Sequence, residues 1–205
     1  GPEGGKGCCA SNHSCTMIFE ITERCNLSCP TCFSGSSPHE TWQMSLDEFE
    51  KKLDRLISAG KRDADMVQLS GGEPTIHPDV ERMVELCFAK GIQKVYINTN
   101  GVRIAKDPQF VERLAAISGS DRLQFYLQFD GFEERTHSLI RGARGLSSVK
   151  RQAIANLQAH NLYALPVMTV TRGVNDGEIG AVVQMMLDNH PKMNTVILQP
   201  AFYSG

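Results

Sequence analysis

Three cysteines with the spacing Cys-x-x-x-Cys-x-x-Cys are the residues of this chain best suited to metal chemistry. Cys25, Cys29 and Cys32 follow an apolar run at residues 17–22. A [4Fe–4S] cluster has four irons and usually takes four cysteines, so three thiolates leave one iron free to hold a small molecule. A structural zinc site would need four ligands, normally on paired Cys-x-x-Cys arms. The spacing therefore favours an open iron–sulfur cluster, with a zinc site or three inert thiols as the alternatives.

The bulk composition limits the classes of protein and partner that the chain can represent. With 205 residues and a formal net charge of −2, it is about one domain long and has no basic excess for binding a nucleic acid or an anionic membrane. Its apolar runs are all too short to span a bilayer. Seven cysteines, an odd number with three in one loop, argue against a secreted disulfide framework. We therefore expect a cytoplasmic protein in a reducing compartment.

Short apolar runs alternate with longer amphipathic segments along the chain. Helices are predicted where an apolar stripe recurs every three or four residues, and they begin near residues 46, 78, 108, 147 and 176. Six apolar runs are predicted to be strands: 17–22, 66–69, 95–97, 123–127, 165–170 and 195–198. Repeated strand–helix units indicate a parallel sheet. Because a closed barrel needs eight such units, we predict an α/β fold that forms a partial (β/α)6 TIM-like barrel.

Cysteine, glycine and polar residues follow the predicted strands, at the edge of the sheet where the strands end. The first strand leads into the cysteine loop, and the second leads into Ser-Gly-Gly-Glu-Pro at residues 70–74. The third and fourth strands lead into Asn98 to Gly101 and Gln128 to Gly131. Because catalytic groups in such sheets collect at the carboxyl ends of the strands, these segments are predicted to line one mouth.

The cysteine loop followed by Gly71-Gly72-Glu73-Pro74 resembles the radical S-adenosylmethionine (radical SAM) superfamily. The resemblance spans most of the chain. It implies that the three cysteines ligate three irons of a [4Fe–4S] cluster and that the amino and carboxylate groups of SAM chelate the fourth. It also implies that reductive cleavage of SAM leads to removal of a hydrogen atom from an unactivated carbon, with the cofactor supplying the difficult chemistry.

The same resemblance implies a set of SAM-binding residues at the ends of the strands. The glycines lack a Cβ, so their backbone can approach the SAM amino group, and Glu73 would help to hold that cationic end. Arg141 matches the geometry of the SAM carboxylate, with a solvated surface arginine as the alternative. The full set is Gly71, Gly72, Glu73, Pro74, Thr99, Asn100, Gln128, Asp130 and Arg141.

The remaining reactive residues have less specific interpretations. Thr31 precedes the third cysteine, where the superfamily often has an aromatic residue, and this argues against adenine stacking from the loop. We expect Cys87 to pack in the core as a small hydrophobic residue. The scattered histidines are expected in loops or on the surface: His39, His77, His137 and His160.

The order of segments divides the chain into two parts. Residues 1–15 form a Cys- and His-rich segment, and residues 16–205 form the predicted radical SAM core. The motifs look most like the group that contains tetraether lipid synthase and the methanopterin-ring methylases, in which such a segment contributes to an auxiliary iron–sulfur site. Cys9 and Cys15 are therefore candidate ligands of a second cluster. Because the sequence stops soon after an apolar run, we expect the core to be truncated at its C-terminal end.

The resemblance implies a radical SAM enzyme that acts at unactivated C–H bonds, by C–C bond formation or methylation. It implies a small-molecule or lipid substrate and a flavodoxin- or ferredoxin-type electron donor. A peptide-maturing radical SAM enzyme is an alternative within the superfamily. A non-catalytic iron–sulfur or zinc-binding module is an alternative of another class. Glu73 and the polar groups after the strands argue against that module, because metal binding alone needs none of them.

Overall fold

The computed structural model describes residues 16–32, 34–59, 65–119 and 121–201, and the predicted segment 1–15 with Cys9 and Cys15 lies outside them. The strands are β1 Thr16–Thr22, β2 Met66–Gly71, β3 Lys94–Thr99, β4 Leu123–Gln128, β5 Tyr163–Val170 and β6 Ile197–Pro200. The helices are α1 Leu46–Ala59, α2 Val80–Ala89, α3 Val102–Lys106, α4 Pro108–Ser118, α5 Glu134–Arg141, α6 Leu146–Ala159 and α7 Ile179–Asp188.

The six strands form one parallel sheet in the order β1-β2-β3-β4-β5-β6. Helices lie between consecutive strands, as parallel neighbours require a crossover connection. Within the described residues, β1 and β6 are the two edges, and the sheet does not close. The predicted partial (β/α)6 barrel of the α/β class is therefore confirmed.

Successive side chains of each strand point to opposite sides of the sheet, so the sheet has two chemically different faces. One face packs under the helices and forms the core, with Phe19, Leu69, Ile97 and Phe125 fully or almost fully buried. The other face carries the intervening residues, so Ile18 is 64% exposed although it lies between buried neighbours. This second face, together with the carboxyl ends of the strands, lines the cavity described below.

Two helices were not predicted from the sequence, and several element boundaries differ by one to three residues from their predictions. The short α3 follows Gly101, whose φ of +78° ends the third strand abruptly. Helix α5 buries polar residues, so it shows no apolar stripe. Helix α2 begins at Val80 rather than at Pro78, and β6 begins two residues later than predicted.

A helix cap is present at the start of α1, and the predicted core position of Cys87 is confirmed. The Ser45 hydroxyl accepts a hydrogen bond from the backbone N–H of Glu48 at 3.2 Å, which caps α1. Cys87 on α2 is fully buried among core residues. Among the helices of the described ranges, none is both long and apolar enough to cross a bilayer.

Candidate active site

The cysteine loop lies between β1 and α1, and its three thiols line one cavity of about 980 Å³. The backbone N–H of Cys25 donates to the carbonyl of Ser37 at 3.0 Å, which holds the start of the loop. The N–H of Cys32 donates to the carbonyl of Cys29 at 3.1 Å and forms a turn. Cys25 is buried, whereas Cys29 and Cys32 are half-buried. The loop therefore presents its thiols toward one shared space.

Burial affects the ionisation of these thiols. It raises the pKa of the Cys25 thiol to about 11 and also raises the pKa of Cys29, although the Arg141 guanidinium opposes the second shift. Both thiols are therefore protonated at neutral pH in the metal-free chain. Because iron binds the thiolate, loading of the site must release these protons.

The donor set fits an iron–sulfur cluster with an open corner. No group of three His, Cys, Asp or Glu side chains among the described residues is close enough together to enclose a single metal ion, as a zinc site would require. A cubane cluster spreads its thiolates over different irons, so it does not require that convergence. The described residues that line the cavity include no fourth cysteine and no histidine.

Gly71 and Gly72 line the cavity at the end of β2, and their backbone packs directly against the start of the cysteine loop. The N–H of Gly72 donates to the carbonyl of Thr22 at 2.7 Å. A Cβ on Gly71 would collide with the Thr22 carbonyl oxygen, and a Cβ on Gly72 would collide with that of Arg24. Glycine is therefore needed here for the approach of two backbone segments, in addition to the approach of a ligand predicted from the sequence.

Glu73 is only 1% exposed, and its carboxylate is used inside the protein. Oε1 accepts hydrogen bonds from the hydroxyls of Thr75 at 2.6 Å and Thr99 at 2.8 Å. Oε2 accepts one from the backbone N–H of Asn100 at 2.6 Å. Neither Glu73 nor the buried Pro74 lines the cavity, whereas Thr99 does. The carboxylate therefore ties the end of β2 to the end of β3.

Asn100 connects the end of β3 to the cysteine loop. Its side-chain Nδ2 donates to Oδ1 of Asn26 at 2.6 Å and lies 3.9 Å from Sγ of Cys25. Its Oδ1 accepts a hydrogen bond from the N–H of Val102 at 3.0 Å, at the start of α3. Asn100 lines the cavity, so the structure brings it to the place where the sequence predicted it.

Arg141 on α5 lies at the cavity wall and is 7% exposed, so it is not a surface arginine. Its Nε and Nη2 each donate to Asp130 at 2.7 Å, and Nη2 also donates to the hydroxyl of Thr169 at 2.9 Å. Burial opposes the charge of Arg141, but the Asp130 carboxylate outweighs that effect and raises the pKa of the guanidinium. Asp130 is fully buried behind Arg141 and does not line the cavity, whereas Gln128 does.

The cysteine loop also contacts the C-terminal end of α5, which the sequence did not indicate. The hydroxyl of Thr31 donates to the carbonyl of Ile140 at 2.9 Å. A Cβ on Gly142 would lie 3.1 Å from Cδ of Pro30, tighter than an ordinary contact. Thr31 therefore holds α5 against the loop at the position where the superfamily often has an aromatic residue.

His137 contradicts the expectation of loop or surface roles, whereas His77 lies in a loop as expected but is buried there. His77 is 1% exposed, and its Nε2 lies 3.0 Å from the carbonyl of Met44. His137, on α5, is fully buried, and neither ring nitrogen has a hydrogen-bond partner among the described residues. Burial and the nearby Lys150 lower the pKa of His137, so its ring is neutral at neutral pH.

Lys150 contacts a residue of the site from within the core, and the sequence did not predict this role. It is fully buried, and its Nζ donates to the carbonyl of Asn100 at 2.5 Å. The available signal was its spacing in α6, because Lys150 precedes Ala153, Ile154 and Leu157 on the buried stripe. A lysine at a core position of an amphipathic helix is unusual and marks a buried polar contact.

Comparisons with known proteins agree with this geometry. The sequence model of the Radical SAM superfamily matches residues 19–186 of the chain. A 7,8-dihydro-6-hydroxymethylpterin dimethyltransferase of Methanocaldococcus jannaschii is 28% identical over 203 residues, which are 97% of this chain and 39% of the relative. Mycofactocin maturase MftC of Mycobacterium ulcerans is 30% identical over 163 residues, 80% of this chain and 42% of the relative.

The structural similarity covers the same region. The crystal structure of Streptococcus suis SuiB bound to S-adenosylmethionine superposes with a TM-score of 0.75 at 17% identity, over 93% of this chain and 41% of that one. The chain thus spans about two fifths of the length of these relatives. Because the superfamily model covers most of the chain, and because the cysteine loop and the glycine pair meet at one cavity, the chain belongs to the radical SAM superfamily, whose enzymes use a [4Fe–4S] cluster and SAM.

Proposed function

We propose that this chain is the core of an enzyme that cleaves SAM reductively and activates an unactivated C–H bond, for C–C bond formation or methylation. The observation that carries the proposal is the lining of the cavity. Three thiols, a glycine pair and a fixed guanidinium face one space, and no fourth thiol or imidazole from the described residues joins them. This arrangement favours a cluster that keeps one iron for an exogenous ligand, since a closed site would present a fourth side chain.

When bound, the cluster and SAM supply the one-electron reduction that splits SAM and the radical chemistry that follows. The residues of the chain bind and orient them. Cys25, Cys29 and Cys32 would hold three irons. Asp130 already takes Nε and Nη2 of Arg141, so the guanidinium would offer Nη1 and its positive charge to the SAM carboxylate. The backbone of the glycine pair offers a surface without side chains for the amino end of SAM.

Two residues of the predicted SAM-binding set would act through their neighbours. Glu73 would fix the Asn100 backbone rather than touch SAM, because both of its oxygens already accept hydrogen bonds within the protein. Asp130 would likewise act through Arg141. Thr99, Asn100 and Gln128 line the cavity and would contact SAM directly.

Methyl transfer to a small molecule is our first candidate for the overall reaction. It is supported by the dimethyltransferase of a pterin, which is similar over 97% of this chain. The cavity of about 980 Å³ also lies at the upper end of the range usual for ligand sites, about 300–1,000 Å³, which supports the binding of a substrate beside SAM. A flavodoxin- or ferredoxin-type protein would donate the electron. Cys9 and Cys15 would contribute to a second cluster.

Peptide maturation is the second candidate. It is favoured by the similarity to MftC, a mycofactocin maturase, and to AlbA of Bacillus subtilis, a biosynthesis protein of the antilisterial bacteriocin subtilosin. AlbA is 28% identical over 152 residues, 74% of this chain, so its similarity covers less of the chain than that of the dimethyltransferase.

Anaerobic reconstitution of the chain with iron and sulfide, followed by addition of dithionite and SAM, tests the radical chemistry. We expect 5′-deoxyadenosine and methionine in equal amounts. The Cys29→Ala variant should form neither product. Cys87→Ala is the matched control, because it removes a cysteine from the core of α2 rather than from the loop, and it should retain both products.

A colourless chain that binds zinc and forms no 5′-deoxyadenosine would refute the proposal in favour of the metal-binding module. Adding 7,8-dihydro-6-hydroxymethylpterin to the active chain, with excess SAM as the methyl donor, tests methyl transfer to this substrate. A pterin that gains the mass of a methyl group supports methyl transfer. Formation of 5′-deoxyadenosine with an unchanged pterin would support the cleavage of SAM but exclude this pterin as a substrate.

A further inference from the structure

Lys150 is a buried cation that the proposed chemistry does not use. It lies on α6, is fully buried, and has a pKa that burial lowers to about 8. A lysine is almost never buried unless a specific contact compensates for its desolvation. Its position in the fold therefore calls for an explanation in terms of the groups that it touches.

The stronger of its two contacts leads to the cysteine loop. Lys150 Nζ donates to the carbonyl of Asn100 at 2.5 Å, while the N–H of Asn100 donates to Glu73 at 2.6 Å. Both backbone polar groups of Asn100 are thus held by buried charges of opposite sign. The side chain that extends from this fixed backbone is the one that reaches Asn26 and the neighbourhood of Cys25.

The weaker contact leads toward Arg141. Oε1 of Gln128 lies 3.4 Å from Lys150 Nζ, but the opposite orientation of the amide places its oxygen 2.7 Å from Nη1 of Arg141. One amide oxygen can satisfy only one of these cations well, and the shorter distance belongs to Arg141. The carbonyl of Asn100 is therefore the principal acceptor for Lys150.

The surroundings of Lys150 offer the ammonium no direct carboxylate partner among the described residues. Asp130 is committed to Arg141, and Glu73 reaches Lys150 only through Asn100. His137, whose ring nitrogens have no partners in the described part of the chain, contributes no negative charge. The negative charges of Asp130 and Glu73 favour the ammonium from a distance, whereas its one short hydrogen bond goes to the backbone carbonyl of Asn100. This hydrogen bond therefore fixes the position of the two groups relative to each other.

We propose that Lys150 is a positioning residue, which fixes the Asn100 backbone from beneath the site and thereby holds the Asn100 side chain against the cysteine loop. The inference rests on the proposed function for its relevance to SAM binding. The restraint of Asn100 and of the cysteine loop by Lys150 does not depend on any cofactor. Lys150 does not touch the cavity and has no direct part in the reaction.

Hydrogen exchange of the metal-free chain, followed by mass spectrometry, tests the restraint. In Lys150→Met, which removes the donor with little change in length, we expect exchange of segments 24–32 and 98–102 to accelerate roughly tenfold, because one buried hydrogen bond is lost. Lys150→Gln retains an N–H donor without a charge, and it should restore protection to within about threefold of the wild type.

Asn156→Leu is the matched control. Asn156 lies on the same helix and donates to the carbonyls of Ile104 at 2.8 Å and Ala105 at 3.2 Å, so its loss weakens the contact of α6 with α3 but not with Asn100. Exchange should accelerate in segment 102–106 and stay unchanged in segment 24–32. A general loosening of α6 would instead affect the loop equally in both variants.

The proposal is overturned if exchange of segments 24–32 and 98–102 in Lys150→Met stays within twofold of the wild type. It is also overturned if Lys150→Gln loses as much protection as Lys150→Met, or if Asn156→Leu accelerates the loop equally. If Lys150→Met fails to fold, the exchange rates of segments 24–32 and 98–102 in Lys150→Gln decide the test. Rates within about threefold of the wild type support the proposal, and faster rates overturn it. A second measurement is the Kd of the reconstituted chain for SAM, which we expect to rise about tenfold in Lys150→Met. A wild type that binds no SAM would refute the proposed function, and the exchange result would still stand.

Discussion

At the scale of single residues, the site is held by buried charges that face inward, while neutral groups and one arginine face the cavity. Glu73 and Asp130 are almost fully or fully buried, and each is satisfied by several donors. Their role follows from the cost of burying a carboxylate, which only a nearly complete set of hydrogen bonds offsets. These residues therefore determine where Thr99, Asn100 and Arg141 lie, and those three line the cavity.

A Glu73→Gln substitution is predicted to destabilise the metal-free chain. The amide oxygen can replace Oε1, but the amide nitrogen would then face the N–H of Asn100, so two donors would oppose each other. We expect a loss of about 1–3 kcal/mol in the free energy of unfolding, measured by urea denaturation. Glu20→Gln, at an exposed position of β1, is the control and should change the stability little. Unchanged stability in Glu73→Gln would show that the internal hydrogen bonds are not important.

Cys87 gives a prediction about alkaline pH. Burial raises the pKa of its thiol from the usual 9.0 to about 12. Between these values the unfolded chain loses the proton and the folded chain keeps it, so this residue lowers the stability as pH rises above 9. Relative to Cys87→Ala, the wild type should lose about 2 kcal/mol between pH 8.5 and 10.5, as measured by urea denaturation at each pH. Parallel pH profiles of the two proteins would contradict the assignment.

At the scale of elements, the site depends on how closely the end of β2 and the end of α5 approach the cysteine loop. The glycine pair allows the first contact, and Thr31 with Gly142 forms the second. The loop is therefore held from two sides before any metal binds. This arrangement reduces the conformational entropy that the thiolates must lose on binding irons.

Gly72→Ala is predicted to displace the loop. The new Cβ would meet the backbone oxygens of Arg24 and Glu23, which cannot move as a flexible side chain could. We expect a loss of about 1–3 kcal/mol in stability and a lower iron content after reconstitution. Gly180→Ala on α7 is the control, because its Cβ would meet nothing within 4 Å and alanine favours a helix by about 1 kcal/mol. Normal iron content in Gly72→Ala would contradict the role of the close approach.

The elements also show how far a sequence can predict this structure. The six strands and five longer helices follow from their apolar periodicity, since they bury ordinary hydrophobic side chains. Helix α5 buries Thr136, His137 and Arg141, so its pattern is hidden. On α6, the structure places Lys150 on the buried stripe, whereas the neighbouring apolar Val149 is only half-buried. Motifs identified the cysteines and the glycine pair of the cavity, but not lining residues such as Gln68 and Tyr126. The pairing of Arg141 with Asp130 depends on tertiary contacts that spacing does not reveal.

At the scale of the whole molecule, a parallel open sheet directs six strand ends toward one cavity. The face of the sheet that the helices cover forms the core. The other face lines the space beside the cysteine loop, with Gln68, Asn98 and Tyr126 among its residues. The fold is shared with SuiB, of which this chain covers 41%. The reaction that the whole protein performs is therefore a proposal, and the open cluster is its central claim.

Electron–nuclear double resonance on the reduced, reconstituted chain tests that claim most directly. With SAM labelled with ¹⁵N at its amino group and ¹⁷O at its carboxylate, we predict hyperfine coupling of both labels to the cluster. This result would show that SAM occupies the iron that the three cysteines leave free. A spectrum without coupling to either label, together with a fourth protein side chain bound to the cluster, would contradict the account.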